Sequence, residues 1–258
     1  MRRAIPWIGL LLLTGSFVWL IRLPVPMHPV APRRPPEPRG EALPVIVLDA
    51  GHGGQDSGAI CGLVMEKDLA LDVAQRAELL LRAAGYTTVL TRDSDRYLSL
   101  AERAAVGNRQ GDSLFVSIHF NDNERPAASG VETYYAQRPP AGPLGLLSWL
   151  PFLEPAESSP LTRKSESLAH CIQAALVEQT RAVNRGIKAE EFYVIANVRH
   201  PAALVEAGFV TNQSDVTKLA TSEYRQEIAR AISHGVQRYR EVAEEGEATL
   251  AVAAGRSE

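Results

Sequence analysis

The chain has 258 residues, a net charge of −3 and 45% apolar residues. That length bounds it to one domain of ordinary size, with a full core and some non-globular chain at its ends. The charge balance removes the electrostatic case for a nucleic-acid partner.

In chain order, Met1-Arg2-Arg3 is followed by an uncharged stretch from Ala4 to Ile21 and then by Arg22. This is long enough to cross a bilayer as a helix, and the arginine excess before it places the N-terminus in the cytoplasm and exports the rest. A cleaved signal peptide is the alternative. Arg22-Leu23-Pro24-Val25-Pro26 offers no small-residue cleavage site, so residues 1–23 read as an uncleaved anchor. Residues 24–43 hold seven prolines and form an extended spacer. The domain proper is expected over 44–241, and residues 242–258, rich in Glu, Ala and Gly, as a disordered tail.

Within the domain, strands and helices alternate. Strands are expected at Pro44–Asp49, Tyr86–Thr91, Asp112–His119, Val131–Tyr135, Phe192–Ile195 and Ala202–Val205. Helices are expected at Glu66–Ala84, closed by Gly85, then near Leu98–Asn108, at Ser165–Thr180 and at Ser222–Tyr239. Such alternation gives an α/β fold: a mainly parallel sheet of about six strands, flanked by helices as an α/β/α sandwich. In these sheets reactive groups collect at the carboxyl ends of the strands.

Three strand ends carry such groups. His52 follows the first strand between two glycines, which leave nothing to crowd an object bound at its ring. His119 ends the third strand and Glu206 the last, while Glu66 opens the first helix. Two imidazoles and a carboxylate with an open fourth position make a catalytic zinc set, and a further carboxylate can deprotonate the water. On spacing alone, His52 as a turn residue, His119 as a core histidine and Glu66 as a helix-start acid stay open. Asn121, two residues past His119, is placed to reach substrate. Asp49 is a candidate for orienting a ligand imidazole, and Arg92 and Lys188 for meeting an acidic ligand. Cys171 reads as a small core residue, and Cys61 ranks behind the other donors as a metal ligand. Whether the two pair is not set by the sequence.

The run Val45-Ile46-Val47-Leu48-Asp49-Ala50-Gly51-His52-Gly53-Gly54-Gln55-Asp56-Ser57-Gly58-Ala59 resembles the opening motif of the zinc-dependent N-acetylmuramoyl-L-alanine amidases of the amidase-3 type. The likeness continues, in order, through Met65-Glu66-Lys67-Asp68, Thr91-Arg92, Ser117-Ile118-His119-Phe120-Asn121, Gly130-Val131-Glu132-Thr133-Tyr134-Tyr135, Asn184-Arg185-Gly186-Ile187-Lys188, Phe192-Tyr193-Val194-Ile195 and Pro201–Asn212. The resemblance implies that His52, Glu66 and His119 hold Zn2+ and that Glu206 is the catalytic acid–base. The implied reaction is hydrolysis, in peptidoglycan, of the amide between the lactyl group of N-acetylmuramic acid and the L-alanine of the stem peptide. It implies an extracytoplasmic site of action in the cell envelope, in wall remodelling or daughter-cell separation. An exported zinc peptidase cutting within the stem peptide, or an inactive wall-binding module, is the alternative.

Residues 136–164 form an insertion containing Leu144-Gly145-Leu146-Leu147-Ser148-Trp149-Leu150-Pro151-Phe152-Leu153. So apolar a run needs cover. It reads as a gate over the cleft, a dock for an activating or regulatory protein, or a membrane contact beside the anchor; extra core packing is the alternative.

Overall fold

The structure, a computed structural model, describes residues 43–137 and 158–254. The expected anchor, the spacer through residue 42, the apolar run 144–153 and residues 255–258 lie outside the described residues.

Strand β1 (Val45–Ala50) leads through a glycine-rich loop and a small antiparallel hairpin, β2 (Ile60–Cys61) and β3 (Val64–Met65), into helix α1 (Glu66–Ala83). Next come β4 (Thr88–Leu90), α2 (Leu100–Asn108), β5 (Ser113–Asn121) and β6 (Val131–Tyr135). Helix α3 (Pro160–Thr180), β7 (Asn184–Ala189), the single turn α4 (Tyr193–Ala196) and β8 (Ala202–Phe209) follow. Helices α5 (Gln213–Leu219) and α6 (Ser222–Ala254) close the chain.

The main sheet has the order β4-β1-β5-β8-β6-β7. Its pairs are parallel except β6–β8, so the sheet is mainly parallel, as the alternation predicts. Successive β1 residues face opposite sides. Ile46, Leu48 and Ala50 enter the larger core beneath α1, α3 and α6, whereas Val47 joins Phe115, Val194, Ile195 and Leu204 beneath α2 and α4. A strand covered on both faces reads as an unbroken apolar run, which is why β1 was legible.

Boundaries follow local chemistry. Ser99 accepts a hydrogen bond from the Glu102 N–H while the Glu102 side chain accepts one from the Ser99 N–H, so α2 starts at Leu100 behind a capping box. Gly85, at φ +90°, ends α1 in the left-handed conformation expected of it.

Three expectations change. Phe192–Ile195 is not a strand: Tyr193–Ala196 is one helical turn, with Val194 and Ile195 both buried in the smaller core. A four-residue apolar run does not distinguish strand from helix by periodicity. The sixth strand is instead β7, Asn184–Ala189, an edge strand that is mostly polar and partly exposed and so carries no alternation to read. The last helix does not stop at Tyr239. Its apolar stripe ends there, but Glu and Ala are strong helix formers and carry the helix through residues 243–254, with Arg240 pairing to Glu244 one turn on.

Helices α3 and α6 pack closely. A Cβ at Gly235 would lie 2.6 Å from the Ile172 Cα, so this mid-helix glycine is required by the approach of the two backbones. Gly235→Ala is expected to destabilise the domain by about 1–3 kcal/mol, despite the roughly 1 kcal/mol that alanine gains in helix propensity. Urea unfolding of the two proteins measures it; an unchanged or raised midpoint would contradict the close-packing account.

Candidate metal centre

The site forms where β1, β5 and β8 run side by side and end. Register sets His119 opposite Glu206 on adjacent parallel strands. The β1 exit loop brings His52 to the same place, and the hairpin returns the chain so that Glu66 begins α1 there.

The loop is held from beneath by two buried arginines. Arg92, with no exposed surface, donates to the carbonyls of Ala50, Gly51, Lys67 and Ser94. Arg103 donates to the carbonyls of Ala50, His52 and Leu98 and pairs with Asp49 at 2.9 Å. These contacts offset the cost of turning the chain at strand ends, where the backbone acceptors lack ladder partners. His52 itself sits at φ +56°, an uncommon conformation for a residue with a Cβ.

Both sequence assignments here are therefore corrected. Arg92 holds main-chain carbonyls and does not reach out to a ligand. Asp49 orients no imidazole: it accepts from Thr91, Ser117 and Arg103 and ties β1 to its neighbours. Asp56 is the acid beside a histidine, with its Oδ2 2.9 Å from His52 Nδ1. It stands four residues beyond His52 in the same motif, but only the loop conformation turns it back.

His52, Glu66 and His119 present one donor atom each within 4.8 Å of one another. Glu66 Oε1 lies 3.0 Å from His52 Nε2 and 2.9 Å from His119 Nδ1 and accepts the Phe120 N–H; its Oε2 accepts the Ala59 N–H. Burial alone would raise the Glu66 pKa, but the hydrogen bonds and charges of the two histidines overcome it and hold the carboxyl far below the usual range. Burial likewise opposes charge on His52, yet Glu66 and Asp56 raise its pKa. Three donors converging on one point, two imidazole and one carboxylate, fit a divalent metal with an open coordination position. Gly51 is part of this fit: a Cβ there would lie 2.4 Å from the His119 ring. The glycine before His52 thus makes room for the second histidine, not for a bound object.

Glu206 and Asn121 line the same cleft, of about 230 Å³, with the three donors. Glu206 Oε2 is shut off from solvent and has no hydrogen-bond partner among the described residues. Burial, and then the negative charges of Glu66 and Glu132, raise its pKa well above the ordinary value. Cys61 and Cys171 are free thiols, the latter buried in α3 as expected.

A family model for N-acetylmuramoyl-L-alanine amidases of the Amidase_3 type matches residues 46–238. The chain belongs to this amidase family. Among its relatives, the Bacillus subtilis protein YqiI is 37% identical over 75% of this chain and 84% of its own length. The N-acetylmuramoyl-L-alanine amidase LytC of the same species is 36% identical over 75% of this chain, but the match covers only 35% of LytC. The fold of the CwlD amidase from Clostridioides difficile, solved in complex with the GerS lipoprotein, superposes with a TM-score of 0.66. That match has 27% identity and covers 78% of this chain and 100% of CwlD.

One residue of this amidase domain escaped the sequence reading as a site member. Glu132 on β6 is buried and lies directly across the ladder from Glu206. Its Oε1 accepts from Asn121 Nδ2 at 2.7 Å and Tyr134 Oη at 2.6 Å; its Oε2 accepts from Arg185 Nε at 2.7 Å and Lys188 Nζ at 2.6 Å. Lys188 therefore meets an acid of its own sheet. Asn121, its amide nitrogen bound to Glu132, has its amide oxygen left to offer the cleft. The signal for Glu132 was an acid between Val131 and Thr133 in a strand otherwise made of β-branched and aromatic residues.

Burial would raise the Glu132 pKa, but the bonds from Lys188, Tyr134 and Arg185 lower it below its ordinary 4.5. A depressed carboxyl stabilises the fold above the unfolded-state value, and that contribution is lost as pH falls through the folded-state value. Glu132→Gln is expected to cost about 2 kcal/mol at pH 7, less than a fully buried pair because the two cations are partly solvated. The gap between wild type and variant should hold above about pH 4.5 and narrow as pH falls below it, read by urea unfolding at each pH. A constant gap would contradict the ionised network.

Proposed function

We propose that this chain is a zinc-dependent N-acetylmuramoyl-L-alanine amidase that cleaves the bond between the lactyl group of N-acetylmuramic acid and L-alanine in peptidoglycan. The observation that carries the reading is the convergence of His52, Glu66 and His119 beside a buried, unpartnered Glu206 oxygen in a cleft of an amidase-family domain.

His52 through Nε2, His119 through Nδ1 and Glu66 through Oε1 would hold the ion. When bound, zinc supplies Lewis acidity that activates water and polarises an amide carbonyl. Glu206 takes a proton from the attacking water and returns it to the alanine nitrogen, because an amine anion does not leave unprotonated. Its raised pKa suits this double role, since the carboxylate is a stronger base toward water and its acid form then delivers the proton to the leaving nitrogen. Asp56 fixes the His52 ring through the nitrogen opposite the ligand atom. Asn121 presents its amide oxygen to substrate.

The domain acts outside the cytoplasmic membrane in the cell envelope. Residues 1–23 anchor or export it and the proline-rich spacer holds it away from the bilayer, while residues 136–164 receive a regulatory partner. In support stand the uncharged Ala4–Ile21 stretch, the apolar run 144–153 and the capture of the CwlD neighbour with a lipoprotein. Among the described residues no helix is long and apolar enough to cross a membrane.

Mass analysis of digested peptidoglycan tests the reaction. New free lactyl ends paired with N-terminal alanine are expected; new carboxyl ends inside the stem peptide would indicate a peptidase, and no new ends a binding module. Glu206→Gln is expected to keep stoichiometric zinc while turnover falls by at least about a hundredfold. A variant with zinc and normal turnover would remove Glu206 from the mechanism.

A further inference from the structure

The cleft borders two unlike surfaces, one on each face of the sheet. Leu100, Phe192 and Tyr193 line it from α2 and the α4 turn, which cover the smaller core. Asp122 is shared with a neighbouring hollow of about 490 Å³, whose lining includes Asn123, Thr211 and Cys61. Cys61 packs against the larger core on the other face.

The first surface is a lip of exposed apolar side chains at the rim of a polar site. Leu100 is 52% exposed, Phe192 41% and Tyr193 48%, although Val194 and Ile195 in the same turn are 3% and 1% exposed. Val194 and Ile195 thus pack into the core while Phe192 and Tyr193 stay exposed at the cleft. Phe192 is not loosely held: Tyr134 meets it edge-on at 5.0 Å and 87°, and the Tyr134 hydroxyl is fixed on Glu132. An aromatic lip so anchored is a preformed apolar face of the kind that accepts the C–H face of a pyranose ring while leaving its hydroxyls in water. The hollow beyond Asp122 mixes Ile60 and Pro126 with Asn123, Glu124 and Thr211, whose hydrogen-bonding groups suit a peptide stem with an amide at every residue.

Resting on the amidase reading above, we propose that Phe192 and Tyr193 form the glycan subsite. The muramyl ring lies on this lip, and the stem peptide leaves over Asp122 toward the opposite face of the sheet. The lip thereby fixes substrate direction and makes the enzyme prefer a sugar-bearing substrate to the same amide without its sugar.

Two substrates with one scissile bond separate the possibilities: a muramyl peptide, and the lactoyl peptide left when the sugar is removed. Tyr193→Ala is expected to raise KM for the muramyl peptide about fivefold with kcat within about twofold, and to leave the lactoyl peptide unchanged. Tyr193→Phe, which keeps the ring, should behave as wild type, and Tyr193→Leu, which keeps bulk without a ring face, should resemble alanine. Equal losses on both substrates, or no loss on the muramyl peptide, would overturn the subsite. A wild-type protein that cleaves neither substrate would overturn the amidase reading, and the subsite with it.

Discussion

Everything at the active end depends on how the chain leaves β1. A strand that stops inside a parallel sheet leaves carbonyls without ladder partners, and here those of residues 50–52 are buried at the point where the chemistry must occur. Arg92 and Arg103 accept that burden with planar groups that each reach several acceptors. Asp49 compensates Arg103 from within the sheet. With the loop so pinned, His52 is held in a left-handed conformation that its own preferences disfavour, and its ring meets Glu66.

Around that point the site separates two carboxylates by environment alone. Glu66 is surrounded by donors, two rings and two main-chain N–H groups, and stays ionised. Glu206 has one buried oxygen without a partner among the described residues, and burial together with two negative neighbours raises its pKa. Glu132 adds a third environment, ionised but matched to two cations, so that its charge acts on Glu206 without needing solvent.

The legible parts of the chain are those where local pattern and tertiary role agree. The unbroken apolar run of β1, the stripe of Ile228, Ile232, Val236 and Tyr239, and the glycine closing α1 each state their structure locally. The misread parts are those where neighbours decide. The expected strand Phe192–Ile195 gives way to a helical turn, Tyr193–Ala196, that buries Val194 and Ile195 and leaves Phe192 and Tyr193 exposed, a division no periodicity encodes over four residues. Strand β7 has a polar sequence because it is an edge, and only its pairing with β6 makes it a strand. Asp49 and Arg92 carry the residue types of a functional site yet serve the fold, Asp49 through neighbouring side chains and Arg92 through main-chain carbonyls. Hydrogen-bond partners distinguish the two uses, and those are not written in a residue name.

The sequence by itself determined the α/β alternation and, through the ordered motifs that resemble the amidase family, named His52, Glu66 and His119 as candidate donors and Glu206 as a candidate acid, because strand patterns and motif order are local signals. Only the tertiary structure decided which acid orients His52, why Gly51 must lack a side chain, and that Glu132 stands behind Glu206 and Asn121. Those are relations between residues far apart in the chain, set by strand register and by which face of the sheet each side chain enters.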